Sequence, residues 1–483
     1  MKKYLCYEDF GAIGDGKTDD FKAIIACHEE ANRTGTPVKT KDGKTYYIGG
    51  ADMCATIKTD VDFGTSRFII DDRNVERNTS YVFSIESDFE RFNIDIPSLE
   101  KSATKIDNPY KENLFVYVKN YNEKIFIRKG LNQNNGTSTM DIFTVDALGN
   151  IYPAVNFNYP TVSEAWAIST DDKPITVKGG IFTTIANYQE SYYRYLQRGF
   201  NISRSHVTIC NFEHYVEGEL DHGAPYHGFI RTNYAYDVTI RDAIITPRFI
   251  YLTESAIPGK TVSMGSYDLS FWSSIDVRCI NVKQTIDISD KRYWGIYTSN
   301  FCKNLYLENC IFSRFDAHMG VTGATIKNCT LGHQGIQLIG AGNFLIENST
   351  IKRNAPELIY LRCDYGSTFE GDITIRNCTW ETSSQYLRII NENNVGDHDY
   401  GYTCYYGKHI TIDGLNIIST NSEPKENMSI SVLSDGNGIS TEKPYPYKMP
   451  EELTISNIKN NKDIDIIISR HNERFEGLKI NKK

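Results

Sequence analysis

Ionisable chemistry is concentrated in the segment Arg314-Phe315-Asp316-Ala317-His318-Met319-Gly320. In an extended strand alternate side chains share a face, so Arg314, Asp316 and His318 project together while Phe315, Ala317 and Met319 turn to an apolar core. A carboxylate beside an imidazole can move a proton, and a guanidinium offers a rigid fork of donors to an anion. Spacing extends the set. Five residues beyond Asn309, Asn328 and Asn348 stand Arg314, His333 and Arg353, and nine beyond stand His318, Gln337 and Glu357. If each asparagine marks one phase of a stacked coil, the first set forms a column rising about 4.8 Å per step. Two arginines and a histidine beside Asp316 call for an anionic occupant. Asp316, His318 and His333 are therefore the catalytic candidates, with Arg314, Arg353 and Glu357 as binding residues.

A second cluster lies in the Gly-rich stretch 217–228, where Asp221, His222 and His227 fall within seven residues. Such a loop suits a substrate-contacting lip, although a polar turn has the same composition. Its spacing matches no strong metal signature, and no metal or cofactor is expected. Tyr293-Trp294 and Phe271-Trp272 offer flat apolar platforms or core packing.

These residues need a scaffold that repeats. Leu307-Glu308-Asn309-Cys310, Ile326-Lys327-Asn328-Cys329, Ile346-Glu347-Asn348-Ser349 and Ile375-Arg376-Asn377-Cys378 share one pattern, with Ile209-Cys210-Asn211-Phe212 an earlier copy. Periods near 20 residues mark a solenoid whose short strands bury a core only by stacking coil on coil. The pattern predicts an internal asparagine ladder. Upstream, the turn Phe10-Gly11-Ala12-Ile13-Gly14-Asp15-Gly16 precedes Thr18-Asp19-Asp20, which would cap a helix carrying Phe21, Ile24, Ile25 and Cys27 up to a Gly35 stop. The resulting expectation is all-β: a single-stranded right-handed parallel β-helix with a short N-terminal capping helix. Residues 1–60 would form the cap and first coil, 61–160 early coils with a β-rich insertion, 161–420 the main helix bearing the site, and 421–483 a C-terminal coil and cap.

The string from Asp9 to Asp20 resembles the N-terminal signature of the pectate-lyase-like superfamily, which includes polygalacturonase-type hydrolases, other β-helical carbohydrate enzymes and phage tailspikes. It covers the first tenth of the chain and implies fold, not catalysis. Gly332-His333-Gln334-Gly335 is similar to the Gly-His-Gly element of polygalacturonases, with His333 the matching residue. The paired-aspartate and Asn-Thr-Asp motifs of those hydrolases are not found in order. Phe315-Asp316-Ala317-His318 resembles the Asp-Pro-His core of β-helical mannuronan epimerases and lyases, with Ala317 in place of proline and Asp316 and His318 at the catalytic positions. The resemblance implies a glycoside hydrolase acting on a polysaccharide or oligosaccharide, with a uronate-like carboxylate as the anion. A lyase or epimerase, or a glycan-binding virion or adhesin β-helix without catalysis, is the alternative.

Bulk properties narrow the partners. A net charge of −9 and no basic run argue against nucleic acid, and no apolar run approaches the length of a membrane span. Eleven cysteines without CxxC pairs suit small buried hydrophobes in a reducing compartment. Met1-Lys2-Lys3 leads into no apolar signal core, so a cytoplasmic or virion-associated protein is expected, as a monomer or homotrimer.

Overall fold

The computed structural model describes residues 3–75, 80–128, 134–191, 195–254, 258–392, 401–421, 428–433 and 447–482. Its core is a right-handed parallel β-helix. One line of parallel pairings climbs from Arg278 through Tyr306, Thr325, Leu345, Thr374 and Thr411 to Thr454, one residue per coil. Beside that line Leu307, Ile326, Ile346, Ile375 and Ile412 point inward and are fully buried. Strands of period two thus give each coil one apolar and one outward row, and stacking joins the apolar rows into one core.

Each coil has three faces. Face A is exemplified by 303–308 and 321–327, face B by 311–313 and Thr350–Lys352, and face C by 297–300 and Glu357–Leu361. The A-to-B corner is the repeat asparagine. Asn281, Asn309, Asn328, Asn348 and Asn377 all have φ between 50° and 56°, a left-handed conformation that asparagine adopts more readily than most residues. Their backbones stack, Asn309 N–H donating to Lys327 O and Asn328 N–H to Glu347 O, both at 3.1 Å.

The ladder exists, but outside. Asn309, Asn328 and Asn348 are exposed, because a left-handed corner turns its side chain away from the core. The internal ladder is the next residue along. Cys310, Cys329, Ser349 and Cys378 are at most 2 % exposed, and Cys329 N–H donates to Ser349 Oγ at 3.0 Å. All eleven cysteines are free thiols. Because the corner asks only for tolerance of positive φ, Asn328→Ala should cost about 1–2 kcal/mol and Asn328→Gly much less, as urea unfolding would read.

At the N-terminus helix α1, Phe21–Thr34, covers the first coil with Phe21, Ile24, Cys27 and Ala31, and ends at Gly35 with φ 67°. The acids before it divide their work differently from the sequence expectation. Asp19 Oδ1 accepts from Phe21 N–H at 3.0 Å, whereas Asp20 accepts from Ile13 and Gly14 N–H and clamps the Gly-rich turn.

Strands Val61–Asp62, Arg67–Asp71 and Phe83–Glu86 pair directly with Ile175–Lys178, Ile181–Ile185 and Phe200–Ser203. Between them, Phe92–Ser169 folds as a separate five-stranded antiparallel sheet, its long strands being Leu114–Ile125 and Thr137–Val145. Alternation along 114–118 serves two cores. Leu114, Val116 and Val118 pack within the insertion, while Phe115 and Tyr117 join Trp166 against Ile275, Tyr234 and Phe301 of the helix. Polar contacts complete the docking. Lys303 Nζ reaches Asp141 Oδ1 at 2.7 Å and Ala154 O at 3.0 Å, Asn156 Nδ2 donates to Thr322 Oγ1 at 2.8 Å, and Lys101 pairs with Glu370.

Candidate functional site

The alternation foreseen in 314–319 holds for Phe315 and Ala317, which are fully buried. The stacking does not. Phe312 pairs with Leu331, but Arg314 pairs with Gly335, so His333 and Gln334 bulge out of the ladder. His333 consequently leaves the Arg314 column. Its backbone N–H and its Nδ1–H both donate to Ile288 O, at 3.0 and 2.9 Å. Burial, with the Arg314 charge adding, holds its pKa below the usual histidine value. Gly335 fills the vacated place, and a Cβ there would sit 2.5 Å from Arg353 Nη1.

Asp316 points outward from face C yet is wholly buried, because loops cover that face. Tyr267 O–H donates to its Oδ2 at 2.7 Å, Arg314 Nη2 at 3.0 Å, and Arg362 Nη1 meets both oxygens at 2.9 and 3.0 Å. Burial alone would raise its pKa, but Arg362 and Arg314 outweigh it and hold the carboxyl at about 2. A group so held stays ionised and is a poor proton donor at neutral pH. The chain of charges continues outward. Arg362 pairs with Asp364 at 3.0 Å and Asp364 with Arg128 of the insertion at 3.0 Å.

His318 shares no proton with Asp316. Its Nδ1–H donates to Asn300 Oδ1 at 3.0 Å, and Tyr365 O–H donates to its Nε2 at 3.3 Å. Burial first, then the Arg362 charge, lowers its pKa to about 3, leaving a neutral ring. Arg353 is occupied too, since it pairs with Glu357 and donates to Gln334 O. The lip residues disperse. Asp221 and His222 pair with each other at 2.8 Å on an open turn, Asp221 being 95 % exposed. His227 stacks on Tyr195 at 5.2 Å, and burial takes its pKa to about 3. None of the three bonds to Arg314, Asp316 or His318 among the described contacts.

A different constellation lies where face C turns into face A. His206, Asp237, Asp276 and Asn304 occupy equivalent left-handed positions, with φ of 57°, 57°, 55° and 56° on successive coils. His206 Nδ1 meets Asp237 Oδ2 at 2.8 Å, and Arg278 Nη1 donates to Asp237 Oδ1 at 2.5 Å. Tyr152 of the insertion donates to Asp276 Oδ1 at 3.2 Å, and Asn304 Nδ2 donates to Tyr152 Oη at 2.9 Å. The two carboxyls differ. Burial pushes Asp276 up, whereas in Asp237 the hydrogen bonds from His206 and Arg278 overcome burial and hold it down. The sequence carried a signal for this row: each member stands five residues before a corner residue, Asp237 before Asp242, Asp276 before Asn281 and Asn304 before Asn309.

Asp276, Arg278 and Asn304 border a cleft of about 810 Å³ between the insertion and face A, with Tyr152, Asn156, Tyr306, Thr325 and Asn343 among its other walls. A second cavity of about 650 Å³, lined by Phe126, Asp141, Phe301 and Tyr402, lies beyond the Asn156–Thr322 contact. Among the described residues no group of three or more His, Cys, Asp or Glu is placed to hold a metal, and no helix is long and apolar enough to cross a membrane.

No protein-family model and no curated protein matches the chain. Solved structures do. The tailspike gp61 of Pseudomonas phage phi297 superposes with a TM-score of 0.57 at 13 % identity, over 95 % of this chain and 81 % of that one. The gp54 tailspike of Acinetobacter baumannii bacteriophage AP22, solved with a capsular saccharide, gives 0.48 at 11 % identity over 99 % and 79 %. Endo-xylogalacturonan hydrolase from Aspergillus tubingensis gives 0.35 at 11 % over 94 % and 96 %. At these identities the likeness is one of fold. The fold shared with the phi297 tailspike is the right-handed parallel β-helix, the fold that the Asp9–Asp20 string implied.

Proposed function

We propose that the protein is a carbohydrate-active β-helix that binds a polysaccharide and hydrolyses its glycosidic bonds. The observation that carries this reading is the cleft between insertion and face A. It offers tyrosine rings, amides, threonine hydroxyls and carboxyl groups from both of its sides. Sugars present hydroxyls that such polar groups satisfy and apolar C–H faces that aromatic rings cover. Hydrolysis is favoured over elimination for a physical reason. Elimination needs a competent base and a free cation beside a uronate carboxylate, whereas His318 and His333 have depressed pKa values and Arg314 and Arg353 already hold Asp316 and Glu357. With those arginines occupied, recognition rests on hydroxyl and ring contacts, and the substrate need not be acidic.

The test is a panel of bacterial capsular, exopolysaccharide and plant polysaccharides incubated with the full chain. New reducing ends without absorbance at 235 nm are expected from at least one member. Products absorbing at 235 nm would replace hydrolysis by elimination, and binding without any product would reduce the protein to a glycan-binding scaffold.

A further inference from the structure

We infer that Asp237 and Asp276 are the catalytic carboxylates of a retaining glycoside hydrolysis, with Asp237 as nucleophile and Asp276 as acid and then base. The inference rests on the hydrolase reading and gives it a site apart from Asp316, His318 and His333.

Geometry comes first. The register pairs Tyr236 with Ile275 and Val238 with Val277, so Asp237 and Asp276 face each other on adjacent coils. Adjacent strands lie about 4.8 Å apart, which sets the backbone separation of the two residues and puts the roughly 5–5.5 Å between carboxyls that retaining hydrolysis uses within reach of their side chains. Asp276 borders the 810 Å³ cleft, and the Asp237 side chain is 34 % exposed beside it. Arg278, which borders the same cleft, donates to Asp237 Oδ1 and ties that carboxyl to its edge.

The backbone admits aspartate at these positions but does not require a carboxylate at either. A left-handed position asks for asparagine, aspartate or glycine. Asn304 and Gly323 meet that demand further along the same row. Two like charges on neighbouring coils repel each other, and the site relieves this by treating them unequally. Arg278 and His206 hold Asp237 ionised, while burial and the Asp237 charge favour the protonated form of Asp276. Two carboxyls pushed apart in this way are suited to opposite duties. Arg278, His206 and Tyr152 are positioning residues.

The steps balance. Asp276 gives its proton to the glycosidic oxygen as the Asp237 carboxylate attacks the anomeric carbon. The bond to the leaving alcohol breaks, and a glycosyl ester forms on Asp237. Asp276, now ionised, takes a proton from water as that oxygen attacks the anomeric carbon. The ester bond breaks, returning the Asp237 carboxylate, a hemiacetal of unchanged configuration and a protonated Asp276.

The experiment uses the full chain and its Asp237→Asn and Asp276→Asn variants, since asparagine keeps the positive-φ backbone. On a polysaccharide that the wild type cleaves, NMR of the first product should show retained anomeric configuration, and each variant should lose roughly 10²–10⁴-fold in rate. Azide should restore turnover in Asp237→Asn and yield a glycosyl azide. Wild-type activity in both variants, or inverted product, would overturn the pair and leave the hydrolase reading standing. No cleavage by the wild type across the panel would overturn both. Independently of activity, carboxyl-carbon NMR should find Asp237 titrating below about 3.9 and Asp276 above it. Both groups below that value would remove the assignment.

Discussion

Asp316→Ala should lower stability by about 3–5 kcal/mol, because it strands buried Arg314 without a counter-charge and takes from Arg362 one of its two carboxylates. Asp316→Asn should lose most of the same amount, since an amide keeps the shape but not the charge. Acid should do what the mutation does. The folded carboxyl titrates at about 2 against roughly 3.9 in an unfolded chain. A depressed carboxyl stabilises above its unfolded pKa, so a contribution on the order of 2–3 kcal/mol is present at neutral pH. It should fade as pH falls from about 4 towards 2. Urea unfolding of wild type and variants from pH 7 down to pH 2 reads both effects. A variant that unfolds like the wild type but has lost polysaccharide cleavage would return Asp316 to the chemistry.

Lys303→Met should also cost about 3–5 kcal/mol, and should act on the insertion. Lys303 and Asp141 are each 1 % exposed, and the lysine is the cation that balances Asp141 while holding Ala154 O. Methionine fills the space but leaves the carboxylate paired only with backbone N–H of Ile142 and Asn156. Hydrogen exchange should quicken across 92–169 more than in the coils. Adding Asp141→Leu should recover much of the loss, since a buried pair removed together costs far less than one member removed alone. Exchange quickening equally in the coils would show that the pair does not govern docking.

The fold was legible because the stretch 307–348 repeats with almost no insertion. Tyr306 and Thr325 are 19 residues apart, whereas Thr411 and Thr454 on later coils are 43 apart. The extra residues fall between the strands His409–Ser419, Ser429–Leu433 and Glu452–Asn460, so a fixed period fades outside 307–348. Identical side chains at one phase of a repeat point to an internal Asn ladder, but φ near 53° at Asn328 turns it outward and Cys329 inward. The outward face shared by Arg314, Asp316 and His318 is covered for another reason. Alternation tells which side of a strand Asp316 is on, and says nothing of whether Tyr267 and Arg362 arrive from distant loops to cover that side. Counting forward from Asn328 met the two-residue bulge at His333 and Gln334. Counting backward by five would have met Asp237 and Asp276 in an unbroken ladder.

The docked insertion also dictates an order of assembly. The chain leaves the helix after Phe83–Glu86 and returns at Ile175–Lys178, onto the very next coil. Joining those coils through a disordered loop would carry a large closure entropy. The insertion's first and last strands pair with each other, Asn93 with Trp166 and Phe92 with Ala167, so its own folding brings the two ends of the gap together. During synthesis the strands at 61–86 have no following coil to pair with until residue 203 has emerged. The cap and the two coils at 38–86, paired only with each other, therefore wait on a separate sheet, and mutations that slow the sheet should delay the helix without changing the final stability of its later coils.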